Sequence, residues 1–450
     1  MRYLIIGADA AGLSAASQIR RRDKEGEIIV LEMGKWVSYG LCGLPYYLSG
    51  EVKNIEDLLS VPKEKFEKTR NVQIKLFHKA VAIDRDRKVV IVEKVDTGER
   101  VEFPYDKLII TTGAEPIKPS SIKGIELEGI YTLHSLDEGV LIRNELQSEK
   151  VKNVILVGAG YVNLEVAEAV LKYGKKPLVV EMLDRILKNF DPDVSSQVKE
   201  YLEGKGIKFA LSSAVEEFRG ENGRVKSVIA GGKEYLADLV ILSIGVKPRN
   251  ELARNAGLEL NPDGGIKVDC EMRTSDPNIF AAGDCVSIKN LLTGKPMFVP
   301  LGDIANKTGV VAGDVAAGGT FKFPGVLGTQ SSKLFDMIVT KTGLSEEEAQ
   351  KEGFNTGSVF IKANNCAHYM PDHNPIWIKL VFEKPSGRIL GSQAIGFERT
   401  ERVNAIAAMA ITQGMRIQDL LFVDFDYTPR LSPVWEPIQQ ACRVAIKQLM

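Results

Sequence analysis

The stretch WVSYGLCGLPYYLSG, residues 36–50, sets a single cysteine, Cys42, between glycines and ahead of Pro45 and two tyrosines. Turn residues on both sides place the thiol at a bend rather than inside a regular element. Three roles are open to it: packing, half of a disulfide, or a reactive thiol. The other cysteines, Cys270, Cys285, Cys366 and Cys442, are scattered, and the total of five holds no C-x-x-C pair. That pattern makes neither a disulfide framework nor a zinc cluster. Cys366, His368 and His373 lie close together but lack a fourth ligand at the usual spacing, so no metal is expected. A reactive thiol must work as a thiolate, which requires a depressed pKa.

Such a thiol needs a scaffold, and the chain is long enough for two or three domains at 450 residues. With 44% hydrophobic and 26% charged residues it reads as a globular protein with sizeable cores. Lysine plus arginine number 58 against 59 acidic residues, a net charge of -1. That balance gives no reason to expect nucleic acid or a membrane surface as partner. The N-terminal MRYLIIGADAAG has too short an apolar run for a signal peptide and turns straight into glycines, so it reads as a buried strand. No run of apolar residues is long enough to span a bilayer, and a cytoplasmic protein is expected.

Three glycine-rich landmarks organise the chain. In YLIIGADAAGLSAASQIRRRDKEGEIIVLEMG a strand runs into Gly7 and Gly12, then a small-residue helix, then a strand ending at Glu32. This is the βαβ dinucleotide fingerprint: glycines let the backbone approach a pyrophosphate, the helix N-terminus faces it, and the acid takes ribose hydroxyls. Asp9 stands where the second glycine normally lies. The second landmark, VKNVILVGAGYVNLEVAEAVLKYGKKPLVVEMLDRIL, repeats the pattern with Gly158, Gly160 and Glu181, and Asn163 replaces its third glycine. Glu181 favours a free 2′-hydroxyl and hence NADH, while Arg185 and Lys188 leave room for NADPH. The third, TSDPNIFAAGDCV, places Asp284 after a short apolar strand at 279–282, where it serves a cofactor hydroxyl or caps a helix. Two dinucleotide folds in one chain suggest one bound cofactor and one exchanging substrate.

Together these landmarks resemble the FAD-dependent pyridine nucleotide–disulfide oxidoreductases. TTGAEP (111–116) and LSIGVKPR (242–249) resemble that family's two crossover segments, and the resemblance covers essentially the whole chain. It implies an α/β fold: two Rossmann-like (βαβ) dinucleotide-binding domains plus a C-terminal α+β dimerisation domain. The implied FAD-binding domain is discontinuous, 1–114 and 246–322, with an NAD(P)H-binding domain at 115–245 and a dimerisation domain at 323–450. Within the last, 326–334 and 377–382 alternate as strands do, and 404–413 reads as an apolar-faced helix. By the resemblance, Gly7, Ala10, Ala11, Gly12, Glu32, Met33, Val81, Thr112, Gly113, Asp284 and Leu301 hold FAD. Gly158, Gly160, Tyr161, Val162, Glu181 and Gly245 hold the nicotinamide nucleotide, and Glu165 matches the glutamate near the flavin and nicotinamide rings.

The cysteine selects the branch. Glutathione reductase-like enzymes carry C-x-x-x-x-C in this region, whereas this chain offers only Cys42. A lone cysteine beside a flavin exchanges with an external thiol or cycles through a sulfenic acid. The peroxidase and water-forming oxidase branch carries a histidine where this chain has Ala10. Coenzyme A-disulfide reductases and persulfide or polysulfide reductases carry S-x-x-x-C-G/A-x-P-Y, matched by Ser38, Cys42, Gly43, Pro45 and Tyr46. SAASQIRR resembles their coenzyme A-contacting helix at Ser14, Gln18 and Arg21, with Arg22 beside it, and Arg70 joins the substrate-binding set. NNCAHYMPDH and DFDYTPRLSPVWEP resemble the segments that bring Tyr369 and Tyr427 across a homodimer toward the partner's cysteine. Leu41, where the family often has asparagine, and Arg430, where it often has proline, put the identity of the substrate in doubt. A separate rhodanese-type domain is not expected.

The resemblance therefore implies an enzyme passing electrons from NAD(P)H through FAD and Cys42 to a disulfide, persulfide or polysulfide such as coenzyme A disulfide, with coenzyme A as a further ligand. The helix start and flavin would depress the Cys42 pKa, and Tyr369 or Tyr427 would protonate the leaving thiolate. Two alternatives stand beside it: an NADH oxidase, and a reductase of a small electron-transfer protein that would not need Cys42.

Overall fold

The short runs RYLII, EIIVL and KLII are rich in β-branched residues and buried on both faces, which suits the interior of a parallel sheet. In the computed structural model, which describes residues 1–449, they form one five-stranded parallel sheet. Its order is Ile279–Ala281, Lys107–Ile110, Arg2–Ile6, Glu27–Leu31, Gln73–Lys75. The third landmark thus supplies an edge strand to the sheet built by the first. The helix Ala10–Arg22 crosses between its first two strands and packs against the helix Gly302–Ala316. The two backbones nearly touch: a Cβ on Gly309 would lie 2.2 Å from Ala11 O, and one on Gly313 2.4 Å from Ala15 O. Only glycine fits there.

The second landmark builds a second parallel sheet, in the order Lys208–Ala210, Lys176–Val180, Asn153–Val157, Leu239–Leu242, Ile130–Thr132. The chain passes into and out of this unit through Ala114–Pro116 and Val246–Pro248, which pair antiparallel. These are the two segments singled out as crossovers. Arg249 N donates to Gly113 O at 3.0 Å and Thr112 Oγ1 to Arg249 O at 2.7 Å, so the two passages are stitched together.

The C-terminal part is a five-stranded antiparallel sheet, in the order Gln330–Leu334, Met337–Gly343, Ile389–Gly396, Pro375–Glu383, Thr356–Asn364. Helices Thr400–Thr412 and Pro437–Ala445 cover it. The first strand starts later than the alternation from 326 suggested, because Gly328 takes φ +68° and bends the chain away from the ladder. The helix begins earlier than 404, since Val403 is buried with Asn404 and Ala407 on the same face. Among the described residues no helix is long and apolar enough to cross a membrane.

Candidate active site

The end of the first sheet, the start of both dinucleotide helices and the strand Gln330–Leu334 surround a cavity of about 1120 Å³. Cys42 lines it from the turn Leu41–Gly43, just ahead of the short helix Leu44–Leu48. Ala10, Ala11, Gly12, Gly113, Asp284 and Leu301 line it from the first unit, and Tyr161, Val162 and Glu165 from the second. Ser14, Arg21 and Ser38 complete the set. Chain segments far apart in sequence therefore meet at one thiol, and no other cysteine lines the cavity.

Two carboxylates organise the loops. Glu32 accepts from Ala8 N at 3.0 Å and Gly34 N at 2.8 Å. Glu181 accepts from Ala159 N at 2.8 Å and Leu183 N at 2.9 Å. Gly12 has no room for a side chain, since a Cβ there would lie 1.9 Å from Gly7 O. The first turn of Ala10–Arg22 has no side-chain cap, so its unpaired N–H groups lie at the cavity wall. Asp284 Oδ1 is buried without a hydrogen-bond partner, and burial pushes its carboxyl up to about 6. An acceptor of that kind, beside an uncapped helix start and a ribose-type acid, fits a flavin dinucleotide's hydroxyls and diphosphate. Gly160 opens the second helix uncapped, with free space where its side chain would be. That cradle fits a second dinucleotide.

Several sequence expectations change in detail. Asp9 is no defect in the glycine loop: it adopts extended backbone, and its Oδ1 accepts from Tyr39 N at 3.0 Å. With Ser38 N donating to Ala8 O at 3.0 Å, the first loop holds the Cys42 segment in place. Burial pushes the Asp9 carboxyl up to about 6. Asn163 is fully buried, and its Nδ2 donates to Val157 O and Gly158 O, both at 2.8 Å. Gln18 does not line the cavity: it is buried, donating Nε2 to Asp314 at 2.8 Å and accepting from Arg21 Nη1 at 3.0 Å. Arg22 pairs with buried Asp314, leaving Arg21 as the arginine at the cavity. Arg70 ends the helix Lys63–Arg70, where its carbonyl accepts from Arg20 at 2.9 Å, and it does not line the cavity. Gly7, Glu32, Met33, Val81, Thr112, Gly158, Gly160, Glu181 and Gly245 do not line the cavity.

The protein groups alone do not depress the Cys42 pKa. The thiol is open to the cavity, yet protein surrounds it closely enough that desolvation pushes it up, with Glu165 and then Asp284 adding to the rise. The helix behind it, Leu44–Leu48, has only five residues, too few for a strong opposing dipole. Glu165 is itself pushed up to about 7, by burial first and by Glu168, opposed by a hydrogen bond from Ser332. Tyr369 and Tyr427 lie outside this cavity, both exposed, and Tyr427 pushes the Tyr369 phenol up. Ser332 and His134 are cavity residues the sequence did not announce. His134 has Nε2 3.1 Å from Ala114 O, and burial lowers its pKa. Among the described residues no group of three or more His, Cys, Asp and Glu side chains could hold a metal ion.

Residues 1–302 match the model of the pyridine nucleotide-disulphide oxidoreductase family, and residues 329–437 match its dimerisation domain. The chain belongs to this family. It is accordingly an oxidoreductase of the group that works with FAD and NAD(P)H. The chain is 39% identical to the NAD(P)H sulfur oxidoreductase (CoA-dependent) of Pyrococcus furiosus over 98% of both chains. It is 36% identical to the NADH oxidase of Methanocaldococcus jannaschii over 100% of this chain and 99% of the other. Among solved structures, the NAD-dependent persulfide reductase from A. fulgidus superposes with a TM-score of 0.96 at 39% identity, covering 100% of this chain and 83% of that one.

Proposed function

We propose that this family member reduces a small disulfide, persulfide or polysulfide, with coenzyme A-type sulfur compounds as the substrate class. The observation that carries the reading is the single open thiol, Cys42, in one cavity with the start of the second dinucleotide helix. The P. furiosus relative and the A. fulgidus structure, named for sulfur and persulfide reduction, support it. In this reading residues 1–114 and 246–322 hold FAD through Gly12, Glu32 and Asp284, and 115–245 hold the nicotinamide nucleotide through Gly160 and Glu181. Residues 323–450 join two copies into a homodimer.

Held by Gly12, Glu32 and Asp284, FAD would supply two-electron redox chemistry between NAD(P)H and sulfur. Cys42, as thiolate, attacks an external disulfide; one thiolate leaves, and a mixed disulfide forms on its Sγ. Two electrons break that bond, Cys42 returns as thiolate, and the second thiolate leaves with a proton. Tyr369 and Tyr427, paired on the exposed face of the C-terminal part, are the proposed proton donors to a neighbouring copy's Cys42. Arg21 and Ser14 offer a cation and a hydroxyl to a phosphate-bearing thiol. Oxygen as acceptor is the second reading, favoured by the M. jannaschii relative's name. Ala10 presents only a methyl where that chemistry would need a proton carrier.

Mass spectrometry of the unreduced protein is expected to find a coenzyme A or sulfane adduct on Cys42. Cys42→Ser is expected to lower turnover of coenzyme A disulfide and polysulfide more than about 10³-fold while NADH still bleaches the flavin. Full sulfur turnover by Cys42→Ser would refute the scheme. A kcat/KM for oxygen above that for both sulfur substrates would favour the second reading.

A further inference from the structure

Ser332 lies on the strand Gln330–Leu334, which forms one wall of the Cys42 cavity, and it donates its Oγ–H to Glu165 Oε1 at 2.6 Å. The two residues come from distant parts of the chain, one on the C-terminal sheet and one on the helix Tyr161–Lys172. Among the described residues no other side chain hydrogen-bonds this carboxylate. A glutamate on a helix has three rotatable bonds and swings freely unless something holds its tip. A hydroxyl on a packed strand is a fixed point, and its bond to a carboxylate is a strong, charge-assisted one.

This inference rests on the reading that places Glu165 beside the reacting rings. We propose that Ser332 is a positioning residue for hydride transfer, keeping the Glu165 carboxylate ionised and in one orientation where the nicotinamide arrives. The surrounding groups leave that task to Ser332. On the same helix, Tyr161 is neutral and Glu168 is negative, engaged by Lys172 at 3.2 Å. Across the cavity stand Cys42, Tyr46 and Asp284, and the neighbouring Lys333 on the strand also lines it. The carboxyl is poised near neutrality, where a hydrogen bond decides how much of it is ionised.

The test uses the FAD-loaded enzyme and follows flavin bleaching by NADH in single-turnover mixing across pH. Ser332→Ala is expected to slow bleaching about tenfold near neutral pH, the loss of one hydrogen bond to a charged group. Its pH midpoint should move to higher pH, because the bond being removed favours the ionised form. Ser332→Thr is expected to restore both. Infrared titration of the carboxyl band that disappears in Glu165→Gln supplies a readout independent of turnover, and the band's midpoint should rise in Ser332→Ala. A merely structural serine would lower thermal stability but leave both midpoints in place, and that result overturns the inference. The double variant should bleach no more slowly than Glu165→Gln alone; additive losses also overturn it. If Glu165→Gln bleaches at the wild-type rate, the reading of Glu165 falls and takes the inference with it. If Glu165→Gln is slow and Ser332→Ala is not, only the inference falls.

Discussion

In the first glycine loop Glu32 accepts from the N–H groups of Ala8 and Gly34, and in the second Glu181 accepts from those of Ala159 and Leu183. Up to that point the two units are near copies. Around the first, the helix Gly302–Ala316 presses glycine to backbone, Asp9 grips the Cys42 segment, and Asp284 is buried at the cavity wall. Around the second, Gly160 opens onto free space, and Met182, just after the acid, is 68% exposed. The same local fold is finished as an enclosed cradle in one place and an open one in the other. Under the proposed function, the first holds the resident cofactor and the second the exchanging nucleotide.

Removing one acceptor from each cradle tests this most strongly. Asp284→Ala is expected to weaken FAD retention about tenfold to a hundredfold, read as flavin absorbance after gel filtration. Glu181→Ala should leave the flavin in place and raise KM for NADH instead. Flavin loss from Glu181→Ala would break the distinction. A smaller effect is expected at the residue that departs from the glycine pattern in the open cradle. Asn163→Gly gives up two hydrogen bonds to loop carbonyls and places glycine inside a helix, at a cost of about 1–2 kcal/mol in chemical denaturation. An unchanged midpoint would mean that the loop does not depend on that amide. The smallest effect concerns nucleotide choice. Arg185 is bound by both terminal nitrogens to Glu347 and so is withheld from the region of Glu181. Glu347→Gln should raise the NADPH-to-NADH ratio of kcat/KM about two- to fivefold, the scale of a partly exposed ion pair.

What could be read from the chain alone was local. An apolar run, glycines and a terminal acid follow one another within one βαβ unit, and each unit folds by that short-range logic. The C-terminal strands were legible only where alternation was clean, and Gly328 shortened the first of them. The site was legible as a list of residues and not as a set of interactions. The partners of Asp9, Gln18 and Glu165 are Tyr39, Asp314 and Ser332, and no spacing rule connects them. The upward Cys42 shift comes first from burial by the fold, with carboxylates from two other segments adding to it, and the sequence around the thiol reveals neither.

The paired ribbon of Ala114–Pro116 and Val246–Pro248 has a mechanical consequence. Because entry and exit run side by side, the backbone enters and leaves the unit between them through one double-stranded ribbon rather than at two separate points. The unit is not free to swing on that ribbon: Leu44, Tyr47 and Leu48 share one core with Ile142, Leu164 and Leu334, and Gln393 Nε2 donates to Asp191 at 2.6 Å. A graft of another such unit would have to rebuild the core behind the Cys42 turn as well as the ribbon.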